Sequence, residues 1–159
     1  MHTYTTDKDK TVAERDPKNC PYYLISRSTL AVTAEMKQEF AVAGIESVRP
    51  AYLGVLMSLW NEDGLNVAEL GRRAGVEPST MTGLLDRMER DRLVVRRADP
   101  DDRRAQRIHL TDEGKKVRAP ALEVVDRTLD RVLQGVAEDD LARAKEVLRR
   151  VLANTERAA

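Results

Sequence analysis

Three observations predict a mainly α chain with one small β-hairpin. Apolar residues recur at helical spacing over most of the 159 residues. One stretch departs from that period: Leu93-Val94-Val95 and Ile108-His109-Leu110 bracket the run Asp99-Pro100-Asp101-Asp102-Arg103-Arg104. Two strand-like pieces around acidic turn formers and paired arginines predict a hairpin with a charged tip. Immediately before it, two short helical segments are separated by a turn containing Gly75.

The elements follow in order. Residues 1–18 are polar and read as a flexible extension. Pro21 opens a helix carrying Leu24, Ala31, Ala34 and Phe40, which Gly44 stops. Pro50 opens a second helix through Trp60 that is apolar nearly all round (Ala51, Tyr52, Leu53, Val55, Leu56, Met57, Leu59), the mark of a helix at the centre of a fold. After the turn Asn61-Glu62-Asp63-Gly64, Asn66 and Glu69 have capping-box spacing for a helix with Val67, Ala68 and Leu70. Pro78 stands at a first helical position, and residues 79–90 turn Met81, Leu84, Leu85 and Met88 inward. Helix, Gly-containing turn, helix and hairpin together make a winged helix-turn-helix over residues 50–111. Thr111 caps a long helix (Val117, Ala121, Val124 or Val125, Thr128, Val132) that Pro120 should kink, and Glu138 begins a last one with Leu141, Ala144, Leu148 and Val151. The predicted division is 1–18 extension, 19–49 N-terminal dimerisation helix, 50–111 winged domain and 112–159 C-terminal dimerisation helices.

Composition narrows the function classes. The six aromatics all lie in the first 60 residues, which removes stacking platforms for single-stranded nucleic acid. Formal net charge is zero, so no global basic field announces DNA. Eight arginines against five acids between Arg87 and Arg107 make a local one. A single cysteine, Cys20, rules out an internal disulfide framework. No apolar run reaches membrane-spanning length and no apolar signal core opens the chain, so a cytoplasmic location is expected. The two histidines, His2 and His109, have no Cys/His cluster around them, and neither a metal site nor a cofactor is expected. His109, between Ile108 and Leu110, reads as structural. No Ser-His-Asp or paired-carboxylate arrangement points to an enzyme.

Residues 79–90 are the candidate recognition helix. Ser79, Thr80 and Thr82 are small hydroxyl residues near its start, which allows close approach to base edges, and Arg87 is placed for backbone phosphates, as is Arg90. The competing reading is an ordinary solvated face on which Asp86 and Arg90 pair at i,i+4. Arg72 and Arg73, on the preceding helix, reach flanking phosphates or stay solvated. In the hairpin Asp102 precedes Arg104 by two residues, so its carboxylate can hold and aim the guanidinium. The competing reading there is a mobile charged turn that contacts nothing.

These residues resemble the MarR-type transcriptional regulators. The hairpin run, continued by Ile108-His109-Leu110-Thr111-Asp112-Glu113-Gly114, looks like that family's wing signature. Val67-Ala68-Glu69-Leu70 and the run from Ser79 to Glu89 fit its two helices, and Asp91-Arg92-Leu93-Val94 fits the segment after the second helix. The resemblance covers residues 21–155 and implies a homodimer on a pseudo-palindromic double-stranded DNA operator. It implies Arg104 as the minor-groove arginine, Asp102 as its partner and Arg103 as a phosphate contact. It also implies a repressor released by a small aromatic or anionic ligand, for which Tyr22, Tyr23, Arg27 and Tyr52 are the candidate lining, while Trp60 reads as core.

Two alternatives stay open. The resemblance extends to organic hydroperoxide sensors with a reactive cysteine near the first helix start; Cys20 lies close to that position, with Tyr22, Tyr23 or Tyr52 as donors to a thiolate, although it precedes Pro21. A winged helix also serves as a protein-interaction module without DNA.

Overall fold

The computed structural model describes residues 16–100 and 105–156. Most of the expected extension 1–18 and the tip residues Asp102, Arg103 and Arg104 lie outside the described residues.

After a 3-10 turn at Pro17–Asn19, helix α1 spans Pro21–Val42 with proline in its first turn. Its buried face is Val32 (in part), Met36 and Phe40, one residue per turn, whereas Leu24, Ala31 and Ala34 are exposed. This differs from the expected inward set. The 22-residue helix has apolar residues on more than one side, and the element packed against it decides which side is core.

Pro50–Tyr52 form a single 3-10 turn rather than the start of an α-helix, and α2 follows at Leu53–Asn61. It is the central helix: Val55, Leu56, Leu59 and Trp60 are buried, while Met57 reaches solvent. A two-residue strand β1 (Leu65–Asn66) leads into α3 (Val67–Ala74). Asn66 caps α3, its side-chain oxygen accepting the Glu69 N–H at 2.8 Å. The Glu69 carboxylate completes no box; it pairs with Arg72 and Arg73 instead. Gly75, at φ +63°, terminates the helix in the left-handed region that glycine adopts without strain. Helix α4 runs Pro78–Arg90.

Strands β2 (Val94–Ala98) and β3 (Gln106–Leu110) pair antiparallel from Val94↔Leu110 to Ala98↔Gln106. The hairpin is thus longer than the two apolar triplets. Strand β1 joins it through Leu65↔Ile108, giving the order β1-β3-β2. Two residues are too short to show a period of two, which is why the third strand is invisible in the sequence. Asp63 locks the edge by accepting the Leu110 N–H at 2.8 Å.

Thr111 caps the next helix as expected, accepting the Gly114 N–H at 3.0 Å. The long helix is divided into α5 (Asp112–Lys116) and α6 (Arg118–Val132). Pro120 explains the division: it has no N–H for the Lys116 carbonyl, and its ring crowds that carbonyl. The bonds on either side, Val117 to Glu113 at 3.0 Å and Ala121 to Val117 at 2.9 Å, are kept. Helix α6 packs along α1, burying Ala121, Val124 and Thr128, with Arg131 reaching Glu35 and Glu39 at 2.6 and 2.9 Å.

Helix α7 (Glu138–Glu156) buries none of residues 138–155; Val147, Leu148, Val151 and Leu152 are all exposed. Among the described residues no helix is long and apolar enough to cross a membrane.

Candidate nucleic-acid interface

Helix α4 has two distinct sides. Met81, Leu84, Leu85 and Met88 are each no more than 3% exposed and anchor it to the core. Ser79, Thr80, Thr82, Asp86, Arg87 and Arg90 are exposed, as their spacing predicts. No side chain caps the start of α4, since Glu77 makes no cap bond. Pro78 has no N–H, and those of Thr80 and Met81 donate to the Glu77 carbonyl at 2.9 and 3.0 Å, so what the start of α4 offers an anion is the Ser79 N–H beside the exposed hydroxyls.

The ion pairs differ from the expected ones. Asp86 pairs with Arg96 of β2 at 2.7 Å rather than with Arg90. Among the described residues no acid pairs with Arg87 or Arg90, which leaves two cations of the helix without counter-charges there. Arg97, on the exposed part of β2, is a third, and its β3 register partner is another arginine, Arg107. Sequence reasoning passes over Arg97; the one available signal is its place outside the apolar triplet, where the strand has left the core.

Arg72 and Arg73 are engaged. Both pair with Glu69, and Arg73 also reaches Glu62 at 2.6 Å. The hydrogen bonds from Arg73 and then Arg72 hold the Glu69 carboxyl below the usual carboxylate range, and Glu69 with Glu62 raises Arg73. Arg72 remains three-quarters exposed and presentable, whereas Arg73 ties α3 to the turn after α2.

At the wing stem Arg107 donates to Asp99 at 2.7 Å and to the Gly64 carbonyl at 3.2 Å. Asp99 is buried, so this pair fixes where the tip departs from the sheet. The roles expected of Asp102, Arg103 and Arg104 concern residues outside those described. His109 lies 3.4 Å from Asp63 across the sheet edge.

The candidate ligand residues are not gathered into one cavity. Tyr22 is 79% exposed, and Tyr23 and Arg27 are also on the surface of α1. Tyr52 is fully buried and donates its hydroxyl to Asp91 at 2.7 Å; Asp91 also holds Arg49 at 3.1 Å, whose guanidinium lies 5.6 Å from the Tyr52 ring centre. Its hydroxyl is therefore already committed, and it is no donor for Cys20. A cavity of about 390 Å³ lies at the end of α1 against Lys37, Ala41, Glu46, Val48, Arg49 and Pro50, and none of the four candidates lines it. Trp60 is core, donating to the Gly114 carbonyl at 2.9 Å. Cys20 is exposed at the N-cap of α1 and makes no cap bond.

The model of the MarR family matches residues 50–105, the segment that holds α2, α3, α4 and β2 and stops just before β3. That stretch is similar in sequence to the MarR family. The HTH-type transcriptional regulator SarZ of Staphylococcus aureus is 37% identical over 70 residues, 44% of this chain and 47% of SarZ, so the chain aligns with about half the length of that relative. The PcaV transcriptional regulator from Streptomyces coelicolor, solved in complex with its natural ligand, superposes with a TM-score of 0.76 at 27% identity over 87% of this chain and 96% of PcaV. The transcriptional repressor CouR, solved bound to a 23-mer DNA duplex, gives 0.74 at 26% identity over 85% and 94%. CouR from Rhodococcus jostii RHA1 is also solved with p-coumaroyl-CoA. The likeness to these solved regulators thus runs beyond the winged domain into the flanking helices.

Proposed function

We propose that this MarR-family chain is a homodimeric, sequence-specific DNA-binding transcriptional regulator of the cytoplasm, and not an enzyme. The observation that carries the reading is α4. A helix held on its inner side by four buried residues presents Ser79, Thr80 and Thr82 at its start and, further along, Arg87 and Arg90, which pair with no acid among the described residues. Hydroxyls and a helix N-terminus suit base edges and phosphate, and the arginines suit phosphate. Arg104, aimed by Asp102, enters the adjacent minor groove and Arg103 contacts phosphate. Arg72 adds a flanking phosphate contact; Arg73, already shared between two glutamates, contributes least.

Residues 19–49 and 112–159 are the dimerisation helices. The unburied residues of α7 and the exposed Leu24, Ile25 and Leu30 of α1 support this, since apolar stripes of that extent find a partner, and a second copy is the simplest. The effector is a small aromatic or anionic molecule that Tyr22, Tyr23 and Arg27 meet once the second copy closes the site, relieving repression by changing the spacing of the two α4 helices. Selection of duplexes from a random pool tests the reading. A pseudo-palindromic winner, bound more weakly and with a shallower salt dependence by Arg104→Ala, supports it; no enrichment overturns it.

A further inference from the structure

We propose that Arg96 sets the angle between α4 and the wing, making it a positioning residue for sequence discrimination rather than a DNA contact. The inference rests on the DNA-binding reading above.

Arg96 is the third residue of β2, paired with Ile108 in the sheet, and its side chain is only 20% exposed. Its guanidinium donates to the Asp86 carboxylate at 2.7 Å, to the Glu89 carboxylate, and to the Thr82 carbonyl at 3.4 Å. Its backbone N–H donates to Glu89 at 2.9 Å. Positions 82, 86 and 89 are successive turns along one edge of α4. One planar cation therefore runs along two helical turns of the candidate reading element.

The chain itself joins α4 to β2 only through the turn at 91–93. Val94 and Ile108 at the base of the hairpin share the core with Met81, Leu84, Leu85 and Met88 of α4; a second fastening, two residues further along β2 and away from that core, narrows the angle left to the two elements. The Arg96 fork is that second fastening. Ion pairs this close to solvent contribute little to folding free energy. The arrangement therefore acts on geometry: it fixes how far apart a major-groove helix and a minor-groove wing arrive on one duplex. A Lys ammonium, a point charge on a flexible stem, cannot span the same three acceptors.

The test uses the full chain, the duplex that the wild type selects from a random pool, and an unrelated duplex of equal length. Arg96→Gln should weaken binding to the selected duplex by about tenfold while unrelated DNA changes by less than about twofold, the effect of imperfect register on discrimination. Arg96→Lys should fall between. Asp86→Asn, at an exposed position that leaves the core intact, should lower the ratio in the same direction and serves where Arg96→Gln does not fold. A thermal melt establishes that each variant is folded. An unchanged ratio in folded Arg96→Lys and Asp86→Asn overturns the inference while leaving the DNA-binding reading in place. A wild type that selects no duplex overturns both.

Discussion

Trp60 donates its indole N–H to the carbonyl of Gly114 at 2.9 Å, across 54 positions of sequence. The bond ties the central helix α2 to the first turn of α5, where the chain leaves the wing. Gly114 is pressed against the other side of the same junction: a Cβ there would lie 2.0 Å from the Leu93 carbonyl oxygen. That oxygen also accepts the Thr111 N–H at 3.1 Å and has no room to retreat. Gly114→Ala should cost about 3 kcal/mol, the upper range of overpacking, visible as a lower denaturation midpoint. A variant as stable as wild type would contradict this packing.

Arg92 is the one described residue other than glycine with a positive φ, at 60°. It occupies the left-handed position of a Schellman turn, with Leu93 N–H on the Met88 carbonyl and its own N–H on that of Glu89, both at 2.9 Å. Relief of about 1–2 kcal/mol of left-handed strain against the greater entropy of an unfolded glycine leaves Arg92→Gly more stable by about 0.5–1 kcal/mol. Denaturant unfolding measures it; a loss of stability would show that the arginine side chain stabilises the turn.

Thr128 is fully buried between α6 and α1, and its hydroxyl has no hydrogen-bond partner among the described residues. Valine has the same shape without the desolvated oxygen. Thr128→Val should therefore gain about 1 kcal/mol, and Thr128→Ser should gain nothing. A loss of stability in Thr128→Val that Thr128→Ser does not share would mean that the hydroxyl has a partner in the assembled protein.

Burial, and then the bond to Asp91, push the Tyr52 phenol above its ordinary value. Its neutral form is the one the fold favours. Its contribution is therefore complete below the unfolded value of about 10 and is lost as pH rises through the higher folded value. Tyr52→Phe should cost about 1 kcal/mol at neutral pH, and the gap to wild type should close in alkali. A gap that stays constant from about pH 8 to about pH 11 would contradict this.

Local signals proved readable wherever a residue acts on its own neighbours. Asn66, Gly75, Pro78 and Thr111 set the helix boundaries that the structure shows, because capping and proline geometry are decided within one turn. The period of α4 separated its buried from its exposed residues correctly. The features that escaped were decided by distant partners. Asp86 had Arg90 within reach on its own helix but pairs with Arg96 of the wing. Tyr52 has the composition of a ligand wall, yet Asp91, 39 positions on, takes its hydroxyl. The inward face of α1 depends on α6, and the exposed apolar side of α7 has no partner within the described chain.

The salt dependence of binding to the selected duplex tests the central claim most directly. If Arg87 and Arg90 meet phosphates from α4, affinity should fall steeply with salt, and the double variant Arg87→Gln, Arg90→Gln, which removes two contacts from each protomer of the dimer, should reduce the slope of log K against log salt by about 4, one per lost contact. Binding by wild type and double variant with the same slope would contradict it, showing that Arg87 and Arg90 meet no phosphate.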